Sequence, residues 1–234
     1  MKIVNASTSL YGKLLKNKKI DFLEPAENFI RIFKQNLNKK KNMNCLDFGA
    51  GDGRHTRFLL ERSHKVFATD ISSQAMRLTK KNIPNFKNFI IFKNEEYSML
   101  YNLKKKFDLI LCWETIHWLG NWNVIKEVLN IFCKLIKKNR HIIITFPAED
   151  HYLLKNKRVG EFLFEIKNPE RKKMKICAPN LKKLKNIFYN NKLKIEGIYK
   201  YSHGRSLHTN VPNGMISGSI KNMFSMYAFL LKKI

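Results

Sequence analysis

Cys45-Leu46-Asp47-Phe48-Gly49-Ala50-Gly51-Asp52-Gly53-Arg54-His55-Thr56 decides the fold of this chain, together with Val66-Phe67-Ala68-Thr69-Asp70 that follows it. A short apolar strand runs into a glycine-rich turn that opens a helix, and a second strand ends in a carboxylate; α/β nucleotide sites are assembled in this way. Glycines at 49, 51 and 53 allow positive φ and remove Cβ, so the backbone between strand and helix can press against a ligand. Asp70 can accept both hydrogen bonds of a ribose diol, which a hydroxyl cannot. The ligand expected from these residues is a ribonucleoside.

Its identity is narrowed by what the turn lacks. A dinucleotide fingerprint brings a helix amino terminus onto a pyrophosphate, but Arg54 stands where its third glycine or alanine belongs. Asp47 and Asp52 add negative charge that would repel phosphate and suit a ligand with a positive centre and a free amino group. S-adenosylmethionine meets that description.

LDFGAGDGRHT resembles the first motif of class I S-adenosylmethionine-dependent methyltransferases. ATDIS (68–72) is similar to the family's second motif, FKNEE (92–96) to its adenine-side acidic motif, and FDLILCWETIHWL (107–119) to its fourth. The resemblance covers about residues 40–146; beyond that only the alternation of elements matches. It implies a Rossmann-like α/β fold with a mostly parallel seven-stranded sheet, an antiparallel carboxyl-terminal hairpin and helices on both faces. It also implies roles for residues. Asp47, Gly49, Ala50, Gly51, Gly53 and Thr56 would hold the methionine end, Asp70 the ribose and Ile71 the adenine ring. Glu95 or Glu96 would accept from the adenine amino group, and Cys112 and Trp113 would sit beneath the sulfonium and methyl. A solvated turn residue is the other reading of Glu95.

His117 and Glu114 are the candidate catalytic residues. An imidazole near neutral pH after the fourth strand could remove the acceptor's proton. The competing reading is a packing histidine, because methyl transfer from a sulfonium proceeds by in-line proximity with little acid or base assistance. Glu114 could orient His117, bind an acceptor amine or be a solvated carboxylate. His151, Tyr152 and Arg158 are substrate candidates in a segment, 147–176, with no clear period. The loop HGRSLHTNVPNG (203–214) is either a hairpin connection or a substrate lid.

Length and composition fit one domain. The 234 residues, 44% apolar and 12% aromatic, can bury a core without staples. The expected division is an amino-terminal helical cap (1–40), a cofactor-binding half (41–146) and a substrate-side half (147–234). No apolar run approaches the ~18 residues of a membrane span, and MKIVNASTSLYG has no apolar core of a secretory signal, so the expected address is cytoplasmic. Cys45, Cys112, Cys133 and Cys177 show no C-x-x-C pairing, so neither a metal site nor disulfides are expected. The sequence carries no signal for an oligomeric state.

The net charge is +27. Such a balance points to nucleic acid, a membrane surface or an acidic partner. Lys outnumbers Arg 36 to 9 and Asn reaches 25, a pattern that also fits A/T-rich codon bias. From Arg171 to Ile234 there are 14 Lys and Arg against one acid, Glu196.

Apolar periodicity predicts helices at 22–37, 54–62, 72–82, 121–136 and 179–191, and strands at 44–48, 65–70, 89–92, 107–113, 140–146, 193–201 and 223–232. The reading chosen is O- or N-methylation of a small, acidic metabolite or biosynthetic intermediate; the GRHT and SMYAFLLKK segments weakly resemble methyltransferases of the tellurite-resistance type and of biosynthetic clusters. The alternative is an RNA methyltransferase, supported by charge alone, since the fourth motif lacks the N-P-P-Y or D-P-P-Y type sequence that grips a flipped base. A scaffold that has kept the cofactor fold is the non-enzymatic alternative.

Overall fold

The computed structural model describes residues 24–83, 87–93, 100, 102–167, 173–203 and 224–234. The quoted stretch is β1 (Asn44–Phe48), a turn, and α2 (Arg54–Leu60), and β2 (Lys65–Asp70) lies parallel beside β1. A first helix, α1 (Glu27–Asn36), precedes them. α3 (Ser73–Asn82) leads to β3 (Phe89–Lys93), and β4 (Phe107–Cys112) to α4 (Trp122–Leu135) and β5 (Ile136–Pro147). After an inserted segment come α5 (Leu181–Asn190), β9 (Leu193–His203) and β10 (Phe224–Lys233).

The seven strands are ordered β3-β2-β1-β4-β5-β10-β9. β10 runs antiparallel to both its neighbours, so the two carboxyl-terminal strands form the expected hairpin. All six residues of β4 are buried, as befits a central strand covered on both faces. Against one face pack α4 and α5, with Phe132, Leu129 and Phe188 in the cluster around Ile110 and Ile142. Against the other pack α1 and α2, with Phe29, Phe33 and Phe58 around Leu109 and Leu111.

Two elements differ from the sequence expectation. β5 starts at Ile136, directly at the end of α4, and its register to β4 shifts between the pairs Phe107–Ile136 and Leu109–His141. That irregularity takes up the polar residues Lys137 to Arg140, with Asn139 at φ 58°, and is why the apolar run begins only at His141. The segment 147–176 is not structureless. It forms a separate antiparallel sheet of β6 (Lys157–Gly160), β7 (Leu163–Lys167) and β8 (Lys173–Cys177). Ile166, Met174 and Ile176 of this cap sheet bury with Leu153 against Trp118, Tyr152, Phe164 and Phe224.

Candidate active site

The carboxyl ends of β1, β2 and β4 lie side by side, at the switch point where open α/β sheets bind ligands. The turn after β1 is held from below, because Gly49 and Ala50 both donate to the Thr69 carbonyl (2.8 and 3.0 Å). It is held from the side by α3: Thr79 Oγ1 donates to the Gly51 carbonyl (2.8 Å) and Asn82 Nδ2 to the Asp52 carbonyl (2.9 Å). Gly49 has φ +81°, and a Cβ there would stand 2.2 Å from Thr115 Oγ1. Gly53 has φ +88° and would meet Ile83 and Thr79 at 3.0 Å. The turn therefore needs glycine both for its dihedrals and for its close approach to neighbours.

Asp70 is tied into this turn. Its Oδ2 accepts from the Gly51 amide (3.0 Å) and its Oδ1 from the Ser72 amide (2.8 Å). Burial pushes its carboxyl above the usual carboxylate range, and the backbone amides of Ser72, Gly51 and Ile71 oppose that shift. A carboxylate offers about four acceptor positions, so with three amides directed at it Asp70 keeps about one. Ile71 follows, half-buried.

Asp47 is fully buried beneath the turn, and Thr56 Oγ1 donates to its Oδ2 at 2.6 Å. Burial pushes its pKa up to about 7; the Thr56 hydroxyl pulls down, while Asp70 and Asp52 push up. A carboxyl that is weaker in the folded chain than its ordinary value of 3.8 stabilises the fold at low pH, and that contribution is lost as pH rises towards 7. The unfolding free energy of the wild type minus that of Asp47→Asn is accordingly expected to fall between about pH 4 and 7 and to level off above. Denaturant titrations of both proteins across that range check this, and a flat difference would place the Asp47 carboxyl in a solvated setting.

Beyond β4 the chain turns sharply. Glu114 has φ +51°, its amide donates to Thr145 Oγ1 (2.7 Å), and its Oε1 accepts from the Tyr201 hydroxyl (3.2 Å). Tyr201 stacks on Trp113 at 5.4 Å and 16°, and Trp113 also meets Phe29 and His55 edge-on or tilted. His55 is buried, accepts from the Ala26 amide at 3.3 Å, and is held neutral by desolvation. Neither Tyr201 nor His55 was singled out in the sequence.

His117 lies on the 3-10 turn Ile116–Leu119, not on an α-helix, and is 3% exposed. Burial, helped by the neighbouring His151, pushes its pKa down to about 3, with Glu114 opposing. The direction runs against the expectation of an imidazole titrating near neutral pH. Its Nδ1 is buried and has no hydrogen-bond partner among the described residues. The same holds for Trp113 Nε1 and Thr69 Oγ1. His151 accepts from the Leu153 amide through Nδ1 (3.2 Å) and stacks on Tyr152.

The remaining candidates sort plainly. Asp47, Gly49, Ala50, Gly51, Gly53, Thr56 and Asp70 converge on one turn, which the chain after Trp113 and Glu114 meets at Thr115, and His117 lies on the 3-10 turn that follows. Cys112 is fully buried in the core cluster with Ile116, and burial pushes its thiol up, so it supports the site from within the core. Arg158 is exposed, with Nε on the Gly160 carbonyl of its own hairpin. Glu95, Glu96 and the loop from 204 to 214 lie outside the described residues. The four cysteines are unpaired, and no metal-binding cluster occurs among the described residues.

A family model described as a methyltransferase domain matches residues 19–196. The chain belongs to this family. Solved structures agree on the fold. An S-adenosylmethionine-dependent methyltransferase from Methanosarcina mazei is 14% identical over 91% of this chain and 99% of its own, with a TM-score of 0.67. One from Clostridium acetobutylicum is 15% identical over 97% of each chain, with a TM-score of 0.64. A Burkholderia thailandensis 1,6-didemethyltoxoflavin-N1-methyltransferase, with its acceptor and S-adenosylhomocysteine bound, is 14% identical over 97% of this chain and 87% of its own (TM-score 0.63). No curated protein matches the methyltransferase in sequence. The family makes the chain a methyltransferase, and its fold is that of the class I S-adenosylmethionine-dependent methyltransferases it resembles. No helix among its described residues is long and apolar enough to cross a membrane.

Proposed function

We propose that this chain methylates an oxygen or nitrogen atom of a small, planar acceptor held between the turn Ile116–Leu119 and the cap sheet. The observation that carries the reading is His117 Nδ1, a buried hydrogen-bonding position left unfilled on the turn Ile116–Leu119 after β4. An orphaned buried nitrogen is costly unless a ligand completes it.

When bound, S-adenosylmethionine supplies a methyl group on a positively charged sulfur. The residues present fit it: Asp70, at the end of β2, keeps an acceptor position for a ribose hydroxyl, and Trp113 Nε1 and Thr69 Oγ1 offer unfilled polar atoms near the turn. Asp47 and the turn Gly49 to Gly53 take the methionine end, Ile71 the adenine face, and Glu95 or Glu96 the adenine amino group. An imidazole with a pKa of about 3 is a poor proton acceptor at neutral pH but a good neutral hydrogen-bond partner. His117 therefore orients the acceptor's hydroxyl or amine in line with the methyl, and Glu114, fixed by Tyr201 and Thr145, acts on His117 through its charge.

The walls of the cap are aromatic: Trp118, Tyr152, Phe164 and Phe224. Cations near it are matched by carboxylates, as in Lys200–Asp150 (2.8 Å) and Lys173–Glu165 (3.3 Å). Recognition is accordingly assigned to stacking on aromatic faces more than to charge. The structural neighbour from Burkholderia, whose acceptor is a small molecule, supports that scale of substrate. Incubation with methyl-labelled cofactor and two pools, total RNA and a small-metabolite extract, tests the reading. Label is expected in the metabolite pool, and label in RNA alone would overturn it.

A further inference from the structure

The parallel sheet gathers the amino-terminal ends of its strands, and the carboxyl end of antiparallel β10, along one edge. That edge is opposite the candidate active site. The pairs Asn44–Lys65, Phe107–Ile136, Lys232–His141 and Lys232–Lys194 place β2, β1, β4, β5, β10 and β9 there in register. Six strands at about 4.8 Å give an edge roughly 24 Å long.

Every one of these strands brings cations to the edge. Lysine fills 39–41 before β1 and 104–106 before β4. Arg62 and Lys65 flank the start of β2, β5 opens on Lys137, Lys138 and Arg140, and β9 and β10 add a pair each at 192 and 194 and at 232 and 233. The acids near it are few and already engaged: Glu61 with Arg57, Asp108 with Lys137 and Arg140, and Glu196 with His141 and Lys232. Lys39, Lys41, Lys104, Lys105, Lys138 and Lys194 are exposed and have no carboxylate partner among the described residues. Burial and the nearby Arg140 and Lys232 lower the pKa of Lys40, the mark of like charges crowded together.

Codon bias would enrich lysine in every loop alike. The connections at the opposite, carboxyl ends mix their charges: Asp52, Glu114, Glu149 and Asp150 stand there with Arg54 and with Lys155, Lys157, Arg158, Lys173 and Lys175 of the cap, whereas the amino-terminal edge has few acids. The sorting of charge by sheet edge is thus a property of the fold. The geometry points to this edge as a docking surface for the phosphate backbone of a nucleic acid, bound without base recognition. A row of cations roughly 24 Å long suits a linear polyanion, several of whose phosphates, recurring every ~3.4 Å along each strand, fall within that length. The large apolar side chains exposed beside the edge are Ile234 and Tyr189, the latter three residues before Lys192, so among the described residues it offers a lone ring, not a row of aromatic platforms for successive bases, and no apolar wedge for a bilayer. Because it faces away from the cofactor turn, the docked strand is a tether and not the methyl acceptor. The inference is independent of the acceptor proposed above.

The test uses the full chain and a mixed-sequence RNA duplex of about 20 base pairs, titrated by fluorescence anisotropy at several salt concentrations. A variant with Lys39, Lys41, Lys104, Lys138 and Lys194 changed to Gln is compared with one in which Lys126, Lys157, Lys175, Lys182 and Lys185 are changed to Gln. The edge variant is expected to bind at least about a hundredfold more weakly at ~0.1 M salt and to lose up to about 4.5 units of the log K against log salt slope, at about 0.9 for each of five contacts. The second variant should stay near wild type, and S-adenosylhomocysteine affinity should be unchanged in both. Equal losses in the two variants would mean diffuse charge and overturn the assignment. So would absence of RNA binding at that salt, or binding to phosphatidylserine vesicles without binding to RNA.

Discussion

Asp70→Ala is expected to weaken S-adenosylmethionine binding by about 1.5 to 3 kcal/mol, roughly ten- to a hundredfold, read by titration calorimetry. A hydrogen bond from a ribose hydroxyl to an ionised acceptor sets that range. The structure adds a second contribution, since Asp70 also receives the Gly51 and Ser72 amides and the turn loses its anchor to β2 when the carboxylate goes. Asp70→Asn separates the two. An amide keeps one acceptor oxygen but presents an NH2 group to one of the backbone donors, so affinity should fall nearly as far as in the alanine variant while the melting temperature falls less. Wild-type affinity in Asp70→Ala would remove Asp70 from the ribose site.

The parts of this fold that were legible in the sequence are those whose signal is local. Cys45 to Thr56 reads as strand, turn and helix because alternate glycines need positive φ and the apolar runs on either side have the right lengths. The buried strand Phe107 to Cys112 reads correctly because all of its residues suit a two-faced core. Ser72 caps α3 locally as well, its side chain accepting from the Ala75 amide (3.2 Å). The cap sheet escaped notice for a local reason too: its strands are four or five residues long and lysine-rich, so the alternation of Met174 and Ile176 spans too few residues to stand out.

The site was legible only where its members are close in sequence. Asp47 meets Thr56 nine residues on, and Asp70 meets Ser72 two residues on. Tyr201 reaches Glu114 across 87 residues and His55 reaches Ala26 across 29, with no motif to announce either. Burial was equally invisible. His117 reads as a titratable imidazole by residue type, and its burial, which pushes its pKa down, becomes visible only once the chain is packed. The charge pattern shows the same limit: a run such as 104–106 looks like a solvated face by itself, and the parallel topology is what aligns it with 39–41 and the start of β5.

His117→Ala is expected to lower kcat by about 10², with cofactor affinity unchanged, because a misplaced nucleophile loses the in-line geometry that its hydrogen bond to the ring enforced. Proton abstraction would give a different pH signature. With the ring pKa pushed down to about 3, the wild-type rate should show no limb between pH 6 and 7 that the variant abolishes. Such a limb would restore His117 as a general base. Stability provides a third readout. A histidine of ordinary pKa 6.5 that is held neutral in the fold stabilises it above that pH, and the contribution is lost as pH falls towards 3. His117→Ala should therefore be less acid-sensitive than the wild type, even though the cavity it leaves lowers the melting temperature at neutral pH. Rate and melting curves on one preparation separate the roles, and a destabilised variant with full turnover in its folded fraction would reduce His117 to a packing residue.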